Sequence, residues 1–353
     1  MNNFDWRWPA LLAAGLLSAC SSHWQGPPTP HFDGRRFSNP GHTKESSVTG
    51  YLWLRLTGAQ APWPDSVPVA PQPPPPARVD DGSALVTFIG HATVLIQVGG
   101  LNILTDPVWS ERASPISFAG PQRVQAPGVA FDALPRIDVV LISHDHYDHL
   151  DLPTLKRLDA RDRPQVIAPL GNAALLAGAM PASRVSEHDW GDRVVLKGGA
   201  TVHVEPMLHG SGRSPFDQMA TLWAAFVLQA GPIKIYHAGD TGYGDGALFR
   251  ATGQKHGGFD LAILPIGAYE PASFMADSHM PPADAVKVMT DLRARRAMAH
   301  HFEAFQLGFE AYDAPRQALR AALQAAALPE DRFWAPQPGQ SLRIAPGAAL
   351  TSP

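Results

Sequence analysis

A chain of 353 residues with 45% hydrophobic content is long enough for one large α/β domain or two small ones, and has the apolar share of a protein with a real core. Its formal net charge of −4 excludes a nucleic-acid binder held by bulk electrostatics, so an anionic partner has to be attracted locally. The single cysteine, Cys20, excludes an intrachain disulfide and leaves no thiolate for a metal site further along the chain.

At the start of the chain, the apolar run Pro9 to Leu17 is too short to span a bilayer and suits the core of a secretory signal. Leu17-Ser18-Ala19-Cys20 follows it and resembles a bacterial lipobox, in which the chain is cut before the cysteine and the cysteine carries lipid. The expectation is a signal peptide over residues 1–19 and a lipid anchor at Cys20. Ser21, in place of an aspartate, favours the outer membrane, with the protein facing the periplasm. The plainer alternative is a buried cysteine in an N-terminal helix. Residues 20–83 are rich in proline and read as a tether and N-terminal arm. Within them Pro71-Gln72-Pro73-Pro74-Pro75-Pro76 must be extended, and the apolar Tyr51 to Leu56 is expected to pack on the main domain.

The compact domain is expected over residues 84–345. Leu85–Gly90 and Val94–Val98 read as strands, and Gly99-Gly100 as a tight hairpin into Leu101–Leu104. The apolar Ile137 to Ile142 reads as a buried strand, followed by a helix from Leu152 to Leu158. Further strands are predicted at Gln165–Ile167, Thr201–Glu205, Leu222–Leu228, Ile233–His237, Leu261–Leu264 and Arg296–Ala299. Helices are predicted at Ala247–Lys255, Pro282–Leu292 and Ala314–Ala326, the second opened by Pro281-Pro282-Ala283-Asp284. Hairpins first and alternating strands and helices later suggest two sheets face to face with helices outside.

The densest chemistry lies in Ser143-His144-Asp145-His146-Tyr147-Asp148-His149-Leu150-Asp151, directly after a strand. Three imidazoles and the Asp148 carboxylate at the edge of a core are costly unless paired, and a divalent first-row ion pairs them. Further along, His209, Asp240 and His301 each follow a predicted strand, with glycines on both sides of the Ala238-Gly239-Asp240-Thr241-Gly242 turn letting the backbone bend sharply. Together these residues complete a two-metal set. His144, His146 and His209 are expected to hold one ion, Asp148, His149 and His301 a second, and Asp240 to bridge them. Alternation along a strand prevents His300 and His301 from both reaching the site, and His301 is the one expected there. His91 and Asp106 are candidate partners for the outer nitrogens of bound imidazoles. His237 reads as a core residue or as a partner standing behind the ligands, and His188, His203 and His256 as isolated histidines.

His144, His146, Asp148 and His149 form an HxHxDH signature, and with the later His209, Asp240 and His301 the chain resembles the metallo-β-lactamase superfamily. Ile89-Gly90-His91-Ala92-Thr93-Val94, Leu104-Thr105-Asp106-Pro107, Arg112-Ala113-Ser114-Pro115, Ala238 to Tyr243 and Pro265 to Pro271 are most similar to the branch of N-acylphosphatidylethanolamine-hydrolysing phospholipases D. The resemblance implies a four-layer αβ/βα sandwich and the same seven ligands. It also implies that His279 faces the substrate phosphate. Gly210 and Phe302-Glu303-Ala304-Phe305 depart from the family pattern at the rim.

These residues point to metal-assisted hydrolysis. Two ions roughly 3.5–4 Å apart hold a bridging hydroxide near neutral pH, with zinc the first expectation for a His/Asp set. Counting two divalent ions, two carboxylates and hydroxide leaves a local charge of about +1, which attracts a phosphodiester despite the acidic chain. Asp148 is expected to orient the nucleophile and His279 to stabilise or protonate the leaving group. The expected substrate is a phospholipid, consistent with a membrane anchor at Cys20. Phe88, Trp109, Phe118 and Phe274 are candidates for an acyl groove. The competing readings are a hydrolase of another ester, such as a sugar-phosphate lactone, and a non-catalytic metal-binding envelope lipoprotein.

Overall fold

Short apolar runs separated by turn residues become strands, taken here from a computed structural model that describes residues 23–39, 41, 50, 54, 57, 58 and 60–345. Cys20, the segment before it and all of Tyr51 to Leu56 except Leu54 lie outside the described residues. In chain order the strands are β1 Ala84–Gly90, β2 Thr93–Val98, β3 Leu101–Thr105, β4 Val139–Leu141, β5 Gln165–Pro169, β6 Val185–His188 and β7 Arg193–Val195. They continue with β8 Thr201–Glu205, β9 Ala225–Ala230, β10 Ile233–His237, β11 Leu261–Pro265, β12 Ala297–His300, β13 Phe333–Trp334 and β14 Ser341–Ile344. The α-helices bounded within the described residues are α1 Leu152–Arg161, α2 Asn172–Leu176, α3 Ala247–His256, α4 Ala272–Met275, α5 Pro282–Asp291 and α6 Ala314–Ala325.

The strands form two seven-stranded sheets, ordered β14-β1-β2-β3-β4-β5-β6 and β13-β12-β11-β10-β9-β8-β7. Each has an antiparallel half and a parallel half, meeting at β3 in the first sheet and at β10 in the second. Gly99 and Gly100 take φ of 59° and 73°, which closes the β2–β3 hairpin with a turn matched to strand twist. Inward-facing residues such as Val86, Ile96, Ile103, Phe226 and Ile235 fill a core between the sheets. Ile89, Leu104, Val140, Leu155 and Leu158 form a second cluster between the first sheet and α1. Helices α3, α5 and α6 cover the second sheet, with Phe249, Val288 and Leu319 buried in the main core. The result is helix, sheet, sheet, helix: the four-layer αβ/βα sandwich.

The strand expected at Leu222–Leu228 begins three residues later. Leu222 to Ala224 are fully buried, but their amides bond elsewhere: Leu222 N donates to the Leu170 carbonyl and Ala224 N to the Ser143 carbonyl. The segment therefore stitches the second sheet to the first, which an apolar pattern cannot distinguish from a strand. Strands β6, β7, β13 and β14 carry no continuous apolar run, and sequence reading missed them.

The N-terminal residues that are described pack closely on the domain. Phe32 and Phe37 join the main core, and Gln97 Nε2 donates to the Pro76 carbonyl. Arg78 makes a two-pronged ion pair with Asp138, whose Oδ2 also accepts from Asn102 N at 2.9 Å.

Candidate metal centre

Parallel strands deliver their following loops to one sheet edge, and four loops meet there: those after β4, β8, β10 and β12. The base of the arrangement is Asp106, which follows β3 at a φ of 35°. Its Oδ1 accepts from Ser143 N at 2.7 Å and its Oδ2 from Ser143 Oγ at 2.6 Å and His149 Nδ1 at 2.9 Å. The loop from His144 to His149 is thus fixed at both ends by one buried carboxylate. Leu208 N donates to Thr241 Oγ1 and Gly242 N to the Leu208 carbonyl, tying the His209 and Asp240 loops together. Gly239 is required between them: its φ is +61°, and a Cβ there would lie 2.7 Å from Ser143 Cβ.

His144, His146 and His209 converge with their nitrogens turned toward one another. His209 Nδ1 donates to the Ser278 carbonyl at 3.0 Å, so its Nε2 carries a lone pair. The proton of Ser143 Oγ goes to Asp106, leaving Oγ to accept from His144 Nδ1 at 2.9 Å, so His144 Nε2 also carries a lone pair. These two nitrogens stand 3.2 Å apart, with His146 Nδ1 2.8 Å and 3.2 Å from them. One proton on His146 cannot satisfy both, whereas one cation satisfies all three. Ligands at 2.0–2.1 Å around a tetrahedral zinc are separated by about 3.3 Å, close to the spacings here.

Asp148, His149, His301 and Asp240 form a second set. His301 Nε2 is 3.1 Å from Asp148 Oδ2 and 3.0 Å from Asp240 Oδ2, and His149 Nε2 is 3.3 Å and 3.1 Å from the same two atoms. Asp240 Oδ2 also lies 4.0 Å from His209 Nε2 in the first set, and its Oδ1 is buried without a hydrogen-bond partner. Asp240 thus stands between the two groups. The donor set is imidazole and carboxylate with no thiolate, which suits zinc, iron, manganese or nickel. All seven residues expected from the sequence come together.

A family profile described as a beta-lactamase superfamily domain matches residues 101–302. The chain belongs to the metallo-β-lactamase superfamily. An uncharacterised protein of Mycobacterium tuberculosis is 39% identical over 283 residues, 78% of this chain and 73% of that protein. The N-acyl-phosphatidylethanolamine-hydrolyzing phospholipase D 1 of Caenorhabditis elegans is 38% identical over 255 residues, 69% of this chain and 71% of that one. The crystal structure of an isothiocyanate hydrolase from Delia radicum gut bacteria shares the fold, with a TM-score of 0.59 at 20% identity, covering 74% of this chain and 99% of that chain.

The two halves of this candidate centre differ in charge. Burial lowers His144 and His209 well below the ordinary histidine value, so both are neutral. Burial also acts on His149 and His301, but Asp240 first and Asp148 next outweigh it, raising His149 well above its ordinary value and His301 to about 9. Before metal binds, these two therefore hold protons at pH 7, which an incoming ion must displace. Zinc titration of metal-free protein at pH 7 should release protons at the Asp148/His149/His301 set and none at His144 or His209. Release from His301 should vanish as pH rises through about 9. Calorimetry in buffers of different ionisation enthalpy measures both. Zinc binding without proton release at pH 7 would contradict this assignment.

The other candidates divide. His279 Nδ1 lies 3.9 Å from Asp240 Oδ2, buried and without a hydrogen-bond partner, so the residue is at the site. His91 Nε2 donates to Asp148 Oδ2 at 2.8 Å, and burial lowers it to about 3. His301 leaves β12 at a φ of 58° and enters the site, while His300 stays buried with its ring 5.2 Å from that of His237. Phe88 is a core residue stacked on Phe302 at 5.7 Å. Trp109 packs edge-on against Phe131, whereas Phe118 is 80% exposed.

Sequence reading missed Asp145, whose Oδ1 accepts from Gly212 N at 2.7 Å and Oδ2 from Thr221 Oγ1 at 3.0 Å. It braces the loop that carries His209, and its place between two candidate ligands was the available signal. Gly267 was missed as well. A Cβ there would sit 2.2 Å from the His301 carbonyl oxygen, which is backbone and cannot give way easily. Gly267→Ala should therefore displace His301, weakening metal binding about 10–100-fold and costing about 1–3 kcal/mol of stability. Zinc titration and thermal unfolding check this.

Proposed function

We propose that this hydrolase is a two-metal phosphodiesterase of the phospholipase D type that cleaves phospholipids, N-acylated ones among them. The observation that supports the metal chemistry is the position of Asp240 between two clusters of candidate ligands. The phospholipid assignment is supported by the 38% identity to the Caenorhabditis elegans enzyme. His144, His146 and His209 would hold one ion, Asp148, His149 and His301 the other, and Asp240 both. Divalent ions held there, zinc first, would supply a water that ionises near neutral pH and positive charge for phosphoryl oxygens.

The chain's own residues do the rest. Asp106 and His91 fix His149 and Asp148, so no reorganisation is needed when substrate arrives. Asp148 orients the attacking water. Burial pulls His279 down to about 4, so at neutral pH it is an uncharged N–H donor aimed into the site rather than a cation. It stabilises charge on the phosphate or leaving oxygen, and His279→Ala is expected to lower kcat about 10²-fold while zinc content stays unchanged.

Hydrolysis of bis-p-nitrophenyl phosphate and of N-acylphosphatidylethanolamine vesicles, beside a lactone panel, tests the reading. Phosphatidic acid should appear as product, and cleavage of lactones with every phosphodiester intact would overturn the assignment. The same reading includes a lipid-anchored Cys20 at the outer membrane, facing the periplasm, which would hold the site beside its substrate. Cys20→Ser should move the protein from the membrane to the soluble fraction.

A further inference from the structure

His203 and Glu205 lie two residues apart on β8, so both project from the same face, opposite Val202 and Val204 in the main core. His256 ends α3 above that face, where Gly257 at a φ of +71° stops the helix. The three come together: His256 Nε2 is 2.8 Å from Glu205 Oε1, the His203 and His256 rings meet edge-on at 5.0 Å, and one ligand atom from each lies within 4.8 Å of the others. Reading His203 and His256 as isolated histidines is thus corrected. They sit 53 residues apart in sequence (256 − 203) and meet only because α3 packs back on β8.

We propose that His203, Glu205 and His256 form a second, separate metal site that takes one zinc ion or a similar nitrogen-preferring transition ion. Two imidazoles and a carboxylate select such an ion over magnesium or calcium, which prefer oxygen ligands. His203 is only partly buried, leaving a fourth position open to water.

Three cations set the affinity. Lys255 Nζ occupies Glu205 Oε1 at 2.7 Å, Arg193 pairs with His203 across the β7–β8 ladder, and Lys234 Nζ is bonded to the His256 carbonyl. Only Lys255 holds a ligand atom. Its side chain is 48% exposed, so it can swing into water when an ion arrives, at little cost. The site should be weaker than the seven-residue centre and act as a clasp between β8 and the end of α3.

Equilibrium dialysis of the purified protein against zinc, with metal counted by elemental analysis, tests this. Wild type should bind one more zinc per chain than His203→Ala, and Asp240→Asn should keep that additional ion. Lys255→Met should tighten it several-fold by freeing Glu205, whereas a purely structural ion pair predicts no gain. Equal zinc counts in wild type and His203→Ala, or unchanged affinity in Lys255→Met, would overturn the proposal. The Asp240→Asn arm separates this result from any failure of the catalytic reading.

Discussion

Asp240→Asn should lower phosphodiester hydrolysis by at least about 10³-fold, equivalent to about 4 kcal/mol of lost transition-state stabilisation. The substitution keeps size and shape but removes the one carboxylate placed between the two ligand sets. Asp240 Oδ2 lies 3.0 Å from His301 Nε2 and 3.1 Å from His149 Nε2. Without that charge, neither ion would have its shared ligand. The burial of Asp240 raises its own pKa, but His301 and then His149 outweigh this and hold it well below the usual carboxylate range, so the wild-type group is ionised. The expected readout is loss of tightly bound metal from the centre with a nearly unchanged far-UV spectrum. Full activity in this variant would remove Asp240 from the chemistry.

Asp106→Ala should be the most damaging change outside the proposed ligands. It strips the acceptor from Ser143 N, Ser143 Oγ and His149 Nδ1 at once, all of them buried. Stranding such groups costs about 3–5 kcal/mol, and freeing the His149 ring should weaken metal binding about 10–100-fold. Burial would raise the Asp106 pKa, but the hydrogen bond and charge of His149, and then His237, hold it far below the ordinary value. The sign follows: a depressed carboxyl stabilises the fold fully above its unfolded pKa, about 4, and that contribution is lost progressively as pH falls from there toward the lower folded value. Chemical denaturation at pH 7 and pH 3 should show the variant's deficit persisting at pH 7 and narrowing in stronger acid. Equal stability of variant and wild type at pH 7 would contradict this role.

The proposed ligands were legible because most of them are contiguous or follow apolar runs. His144, His146, Asp148 and His149 stand in six consecutive positions, His144 to His149. His209, Asp240 and His301 each follow a strand whose apolar pattern is plain; side-chain alternation says only that His300 and His301 cannot both reach the site, and the chain leaving the sheet after His301 favours His301. What the sequence hid was relationship rather than residue type. The tautomers of His144 and His209 depend on the Ser143–Asp106 hydrogen bond and on the Ser278 carbonyl, contacts that exist only once loops meet. The left-handed backbone of His301 is not encoded by a glycine. Leu222 to Ala224 have a strand's composition but spend their amides on the first sheet. The His203–Glu205–His256 cluster had half a signal, two polar residues on one strand face, and lacked its third member until α3 was placed.

The most direct test is anomalous scattering at the zinc edge from crystals of the zinc-loaded protein. Two peaks are expected at the centre, one enclosed by His144, His146 and His209 and the other by Asp148, His149 and His301, each in contact with Asp240. A single peak, or none among these seven side chains, would contradict the account.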